Sequence, residues 1–547
     1  VAGRCRREGR RPVGVTGSAC VAIVVLVAAL AAALLQTGRA APAAAAELPA
    51  GARLVRVAPP AADPNGASGE PALSADGLVV AFATDASNFG PADGNGLRDV
   101  YTFDLATGRA ELVSARADGQ AANGVSGTPT LSGDGRVVAF VTAADNLVPV
   151  PPTQKTLVVV RERGGAPQLA SRAIGGAAPD GDSFQPDISA DGRYVVFASA
   201  ASNLVPGDTN RKTDVFVYDR LRATVARVSV STSGRQANGN SSNPRISADG
   251  RYVCFSSAAT NLVRGDRNRV QDVLVRDLLR GRTERVTLSS TGKEQNAALA
   301  PPFAQVCDLS ADGRYVVFDS DATNLVRGDV NGRTDVFLRD RARRRTILVS
   351  RTVSDGLGLS DSFNPAISGD GRTVVFQSFA ENLAPPFASR EHVYVRGVGS
   401  GGTATLDEPA AGPFEEFWRT PLYVQPAIAQ DGTVAAFESR HSTIVAGDTN
   451  GVADVFVRSV APPDTRAARR LPGVVRGRRV RLVATSPDPT ADRALCRIDR
   501  RRPFRCRLRR TIELRGLRRG RHRLVVAAGG PGRLYDRAPL VWRFRVR

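Results

Sequence analysis

The feature that most limits what this chain can fold into is a unit that recurs seven times. In its fullest form, at residues 186–197, it reads Pro-x-Ile-Ser-Ala-Asp-Gly-Arg-Tyr-Val-Val-Phe. Its Asp-Gly pair begins at Asp76, Asp134, Asp191, Asp249, Asp312, Asp370 and Asp431, at intervals of 58, 57, 58, 63, 58 and 61 residues. Self-similarity at a nearly fixed period marks an array of supersecondary units, none of which buries its apolar face alone.

Each copy reads as four strands. In the third, Asp187–Ser189 is a short strand and Ala190-Asp-Gly-Arg193 a tight turn, where glycine supplies the positive φ that a hairpin needs. Tyr194–Ser199 is an apolar strand, Val215–Tyr218 a third, and Ala226–Ser231 alternates as a fourth. Four-stranded units repeated radially are propeller blades. A linear solenoid would want atypical capping repeats at both ends. The seventh copy stops after a third strand at 454–458 and runs into Pro462-Pro463. Before the first copy, Arg53-Leu-Val-Arg-Val57 matches the fourth-strand segments Arg227-Val-Ser-Val230 and Arg285-Val-Thr-Leu288. The expected fold is therefore all-β: a seven-bladed β-propeller over 47–461, its last blade completed by an N-terminal strand that removes the exposed edges.

The unit Ser-Ala-Asp-Gly-Arg-Tyr-Val-Val-Phe, followed by Asp-Val-Phe-Val-Tyr-Asp, resembles the WD40-like repeat of TolB-type β-propellers, over about residues 53–460. The resemblance implies a propeller in the cell envelope or outside the cell that works by binding. It covers the repeats alone, so a role in the Tol–Pal system is not carried over.

A second motif, Asn-Leu-Val-x-Gly-Asp-x-Asn-x-x-x-Asp-Val, lies between the second and third strands. It supplies Asp93, Asn95 and Asp99 in copy one, Asp208, Asn210 and Asp214 in copy three, and Asp266, Asn268 and Asp272 in copy four. Copy five has Asp329, Asn331 and Asp335, and copy seven Asp448, Asn450 and Asp454. Oxygens at positions 1, 3 and 7 match the opening of calcium loops. The same pattern suits an Asx turn whose last Asp caps the next strand, and the missing fifth-position oxygen and distal Glu favour this second reading. In an up-and-down blade these loops share a face with the inter-blade loops, such as Gln236-Ala-Asn-Gly-Asn-Ser-Ser-Asn243 and Asn123-Gly-Val-Ser-Gly127. That face is the candidate binding surface for a protein or glycan.

Outside the repeats, residues 1–46 read as a signal peptide or an N-terminal membrane anchor: a basic stretch from Arg4 to Arg11, an apolar run from Cys20 to Leu35, and small residues up to Ala46. This predicts an exported protein, extracellular or in the cell envelope. Residues 462–470 read as a linker. Beyond it the composition shifts: residues 466–547 hold 26 arginines against five acids, while residues 47–465 hold 42 basic and 47 acidic residues. A mildly acidic propeller thus carries a cationic tail domain suited to anionic cell-wall polymer or lipid. In the tail, Cys-x-x-Asp…Pro-Phe-x-Cys followed by Leu517-x-x-Gly-x-His522 resembles bacterial Ig-like repeats, so 471–547 is expected to be a basic β-sandwich. An exported setting favours a Cys496–Cys506 disulfide. Cys254 and Cys307 fall in neighbouring blades, as a second disulfide or as two separate thiols.

The chain has three histidines, His392, His441 and His522, and no Gly-x-Ser-x-Gly elbow, His-Glu-x-x-His or phosphate loop. No sequence-specific nucleic-acid motif is present. These observations point to a monomeric, non-enzymatic binding or scaffold protein. The alternative is a glycan-active hydrolase or lyase with its site in the propeller channel.

Overall fold

The computed structural model describes residues 54–460 apart from 60–61, 91–92, 298–304, 385–390, 400–401, 408–424, 443 and 446. Beyond 460 it describes 466–467, 474–475, 480–485, 493–499, 504–507, 511–514, 517–529 and 540–546. The expected signal or anchor segment, 1–46, lies outside the described residues.

Seven four-stranded antiparallel sheets account for the repeats. Blade 3 shows the plan: Ser183–Ile188, Tyr194–Ser199, Asp214–Asp219 and Thr224–Arg227, paired in chain order from the channel outward. Six blades follow it, over 68–112, 126–169, 183–227, 241–285, 307–348 and 362–405. The seventh holds Ala427–Ile428, Val434–Ser439 and Asp454–Ser459, and its fourth strand is Leu54–Arg56, with Val55 opposite Val457. The N-terminal closure expected from the sequence is thus what the chain does. The fourth strand of blade 3 differs from expectation: it is Thr224–Arg227, not 226–231. The chain leaves the sheet after Arg227 because the Ser229 hydroxyl takes over. It accepts the N–H of Val215 at 3.1 Å and donates to Oδ1 of Asp214.

The Ser-Ala-Asp-Gly turns explain both the repeat and the ring. Ser189 Oγ donates to Asp191 Oδ1 at 2.5 Å, and Asp191 Oδ1 accepts the N–H of Arg193 at 3.0 Å, which closes the turn locally. The Asp or the residue before it also donates its N–H to the next blade. Backbone bonds run from Ala75 to Gly133, Gly133 to Ala190, Ala190 to Ala248, Asp249 to Ala311, Ala311 to Gly369, Gly369 to Gln430 and Asp431 to Ala75. These seven bonds, between 2.8 and 3.4 Å, form an unbroken hoop around one end of the channel. Between blades the apolar faces interlock: Val196, Val215 and Val217 of blade 3 pack on Ile246, Val253 and Phe255 of blade 4. Val80, Phe82 and Tyr101 of blade 1 pack on Ala436, Val455 and Val457 of blade 7. A sheet with two buried faces explains why the second strands read as unbroken apolar runs.

The C-terminal region is a two-sheet sandwich. One sheet holds Arg466–Ala467, Val480–Thr485 and Thr511–Leu514, and the other Val474–Val475, Leu540–Val546, Gly520–Gly529, Arg493–Ile498 and Phe504–Arg507. Ile512 and Leu514 from the first share a core with Ile498, Leu524, Trp542 and Phe544 from the second. Because Arg466 and Ala467 pair with Thr485 and Ala484, the sandwich begins inside the span 462–470 expected as a linker. The Asp and His of the tail pattern meet: His522 Nδ1 lies 2.8 Å from Asp499 Oδ2, and Asp499 Oδ1 accepts the N–H of Arg523 at 2.8 Å. The expected Cys496–Cys506 bond is present, and Cys254 and Cys307, for which the sequence leaves a disulfide and two separate thiols both open, are bonded to each other.

Candidate functional site: a clasped loop face and a polar channel

The acidic loops and the inter-blade loops lie on one face, because they are bonded to each other. Asn95 Nδ2 donates to Ala122 O at 2.8 Å, Asn210 to Ala237 O at 3.1 Å, Asn268 to Gln295 O at 3.2 Å and Asn331 to Gly358 O at 3.2 Å. Asn450 makes the same bond to Pro64 O at 3.1 Å, across the closure of the ring. A second device repeats beside this one. Asn123 donates its N–H to Asn146 Oδ1 at 3.0 Å while its own Oδ1 accepts the N–H of Asp145 at 3.1 Å. Reciprocal clasps of this kind join 65 to 87–88, 180 to 202–203, 238 to 260–261 and 296 to 323–324. Loops held at both ends lose little entropy on meeting a partner.

Each predicted Asp-Asn-Asp triple comes together within its own blade. The Asn side chain caps an Asx turn: Oδ1 of Asn95, Asn210, Asn268, Asn331 and Asn450 accepts the N–H two residues on. Its Nδ2 reaches the last Asp, at 2.7 Å for Asp99 and Asp214 and 2.8 Å for Asp335. That Asp is buried and takes a hydroxyl from the fourth-strand side: Ser114 to Asp99, Thr287 to Asp272 and Ser350 to Asp335, each at 2.5 Å. Burial pushes Asp99, Asp272, Asp335 and Asp454 up to about 6. Between the two carboxylates of a loop, three blades hold an arginine head. Arg227 Nη2 is 3.0 Å from Asp208, Arg285 lies 3.5 Å from Asp266 and 3.3 Å from Asp272, and Arg56 lies 2.9 Å from Asp448 and 3.3 Å from Asp454. In blade 1 the place is taken by a tyrosine, whose hydroxyl donates from Tyr101 to Asp93 at 3.4 Å. Among the described residues no three His, Cys, Asp or Glu side chains cluster as a metal site. In blade 6, which lacks the motif, His392 and Asp407 replace the Asp–Ser pair, with Nδ1 3.1 Å from Oδ2.

The second feature is a cavity of about 980 Å³ in the central channel. Its wall is built by a bulge in the first strand of five blades. At each bulge a non-glycine residue takes positive φ just before a proline: Glu70, Thr128, Gln185, Asn243 and Asn364, with φ between 46 and 55°. Bulges re-aim side chains, and these line the cavity. They also stitch neighbouring blades. Glu70 Oε2 accepts the N–H of Thr128 at 2.6 Å, and Gln185 Oε1 that of Asn243 at 2.9 Å.

Deeper carboxylates do the same. Asp187 accepts from Thr130 Oγ1 at 2.9 Å and from the N–H of Ile246 at 2.7 Å. Asp308 accepts the N–H groups of Leu309 and Ile367, both at 2.8 Å, and Asp319 those of Val306 at 2.8 Å and Asn364 at 3.2 Å. Burial raises all of them, Asp308 to about 6, and Asp319 and Glu438 to about 7. Arg245 reaches from blade 4 across to Gln425 of blade 7. A ligand entering here would meet a polar wall that includes the raised acids Asp308, Asp319 and Glu438.

No family model matches the chain, and no curated protein matches it. Solved structures similar to it include a putative TolB from Agrobacterium tumefaciens, 17 % identical over 61 % of this chain and 90 % of that one, with a TM-score of 0.33. A puromycin-hydrolyzing peptidase of Mycobacterium tuberculosis is 14 % identical over 74 % of this chain and 56 % of its own, at 0.40. The Pseudomonas aeruginosa periplasmic gluconolactonase is 20 % identical over 61 % and 83 %, at 0.30. Likenesses at this level assign no activity to this chain. By its own strand pairing and unbroken hoop, the chain is a closed seven-bladed β-propeller followed by a β-sandwich.

Proposed function

We propose that this is an exported, envelope or extracellular binding scaffold that presents its clasped loop face to a protein or glycan partner, while the arginine-rich sandwich addresses a polyanionic surface. The observation that carries the reading is the reciprocal Asn or Asp clasp, repeated in blades 1 to 5, which fixes a polar face in advance of any partner. Two disulfides, Cys254–Cys307 and Cys496–Cys506, support an oxidising compartment. Photo-crosslinking residues placed at Arg211 and Arg269, in the loops of that face, should give discrete adducts in intact cells. The same residues placed at Ala342 should not. Equal adducts from all three positions would remove the reading.

A second reading, a glycan-active hydrolase or lyase, is favoured by the channel cavity and by the Asp319 and Glu438 acids at about 7. Against it, Asp187, Asp308 and Asp319 spend their oxygens on backbone N–H groups of neighbouring blades. Hydrolysis of an envelope glycan that vanishes in Glu438→Gln, with folding intact, would move the assignment to this reading.

A further inference from the structure

The face opposite the clasped loops carries a different chemistry at its rim. In blades 3, 4 and 5 the turns between third and fourth strands share one geometry. Asp219, Asp277 and Asp340 open them, and Ala223, Gly281 and Arg344, four residues on in each, have φ of 52, 62 and 53°. The opening Asp holds the turn from within. Asp219 Oδ1 accepts the N–H of Leu221 at 3.1 Å, and Asp277 Oδ1 that of Leu279 at 3.1 Å. Each Asp is in turn gripped by the arginine of the Asp-Gly-Arg turn, Arg193, Arg251 or Arg314, at 2.7–2.8 Å. The turn is rigid, and what it displays is held outward.

At the tip, two residues after the Asp, stand Leu221 and Leu279, each 77 % exposed. Around them Arg222, Arg280, Arg282, Arg343, Arg344 and Arg345 are exposed. A lone exposed leucine needs no account. Here two occupy the same turn position in adjacent blades, and one rotation of the ring relates them, so the tips stand level. Level apolar tips among guanidinium groups suit a charged lipid surface: the leucines enter the boundary between headgroups and acyl chains while the arginines meet phosphate. A soluble polyanion would be served by the arginines alone.

We propose that this rim docks the propeller on an anionic lipid bilayer, with the clasped loop face turned away from the membrane. The inference rests on neither the loop-face reading nor the sandwich. Because the sandwich is also basic, the test must report on the turn tips themselves. Full-length Leu221→Trp and Leu279→Trp variants are mixed with phosphatidylglycerol–phosphatidylcholine vesicles carrying brominated acyl chains. Both should show quenching well above the wild-type background, and Val330→Trp, at an equally exposed site (81 %) on the opposite face, should not. In the Leu221→Trp background, Arg222→Gln, Arg280→Gln and Arg343→Gln should each weaken tip insertion about fivefold. Vesicle binding with no tip quenching, or with equal quenching at Val330→Trp, would overturn the proposal. So would quenching that ignores the arginine changes. Tight binding to a soluble polyanion such as heparin, with no tip insertion, would assign the rim to that partner instead.

Discussion

Arg56, which precedes the first repeat, places its Nη1 2.9 Å from Oδ1 of Asp448 in the last, with both side chains almost wholly buried. The pair fastens the two ends of the ring, and the same guanidinium also reaches Asp454 and Asp63. Removing one partner of a buried ion pair leaves the other charge stranded, which costs about 3–5 kcal/mol. Arg56→Ala is therefore expected to lower the free energy of unfolding by about 3 kcal/mol, read from urea melts of the full chain. It strands two buried aspartates, so Asp448→Asn in the same background should restore part of the loss. A melt unchanged by Arg56→Ala would mean that the closing strand contributes little to stability.

The Cys254–Cys307 bond joins the second strand of blade 4 to the first strand of blade 5, across 53 residues. Closing a loop of that length is worth about 4 kcal/mol through the unfolded chain. The Cys254→Ala, Cys307→Ala double variant should lose an amount of that order. The Cys496→Ala, Cys506→Ala variant, whose loop spans 10 residues, should lose less.

Gly250 of an Asp-Gly turn and Gly207 of an acidic loop allow a controlled comparison of space and backbone. Gly250 and Gly207 both have φ +70. A Cβ at Gly250 would stand 2.6 Å from Cδ2 of Tyr194 in the preceding blade, whereas at Gly207 nothing lies within 4 Å. Gly207→Ala should cost about 1 kcal/mol for the left-handed backbone alone. Gly250→Ala should cost about 3 kcal/mol, because the overpacked Tyr194 ring adds to it. Equal losses in thermal melts would show that the turn, not the inter-blade contact, selects glycine.

This separates what was legible in the chain from what was not. The recurring Asp-Gly pair, the apolar second strand and the missing fourth strand of copy seven were sufficient for blade number and closure, since each is a local pattern repeated at one period. The channel was not legible, because its wall comes from one residue per blade at positions about 58 apart. One signal did exist: the residue before the repeat's proline is Glu70, Thr128, Gln185, Asn243, Asn364 or Gln425, polar every time beside an apolar strand. The arginine between the acidic-loop carboxylates was hidden for a related reason. Arg227 is on the fourth strand, 13 residues beyond Asp214, and Arg56 is 398 residues from Asp454.

The buried carboxylates also fix the sign of the pH dependence. Asp99, Asp272, Asp335, Asp454 and Asp308 stand at about 6, and Asp319 and Glu438 at about 7, all above their unfolded values. Between about pH 4 and 7 the folded chain therefore holds more protons than the unfolded one. Stability must fall as pH rises through this window. The carboxylates held low by arginine, Asp219 and Asp340, act in the opposite sense only below their unfolded value, as pH falls through their lowered ones. The full chain should melt at a higher temperature at pH 5 than at pH 8. Asp319→Asn should flatten the difference, since an amide makes the neutral form permanent. A melting temperature that climbs from pH 5 to 8 would contradict the assignment.

In blades 3, 4 and 7 a guanidinium stands where a calcium loop would hold its ion. Arg227 Nη2 lies 3.0 Å from Asp208 Oδ2, and its Nε 3.8 Å from Asp214 Oδ2. A divalent cation and a guanidinium compete for the same charge, and the arginine is tethered by its own strand, so it needs no ordering from solution. Millimolar calcium should therefore leave the melting temperature of the native chain unchanged, with no binding heat in calorimetry of chelator-treated protein. Arg227→Ala removes the tethered cation and leaves both carboxylates uncompensated, at a cost of about 3 kcal/mol. In that variant calcium should restore part of the lost stability, by mass action on the folded state. Arg227→Lys, which keeps the charge without the fork, should need no calcium. A calcium-dependent rise in the melting temperature of the native chain would place metal in blade 1, where Asp93 and Asp99 face Tyr101, or in blade 5, at Asp329 and Asp335, the two motif blades outside those three.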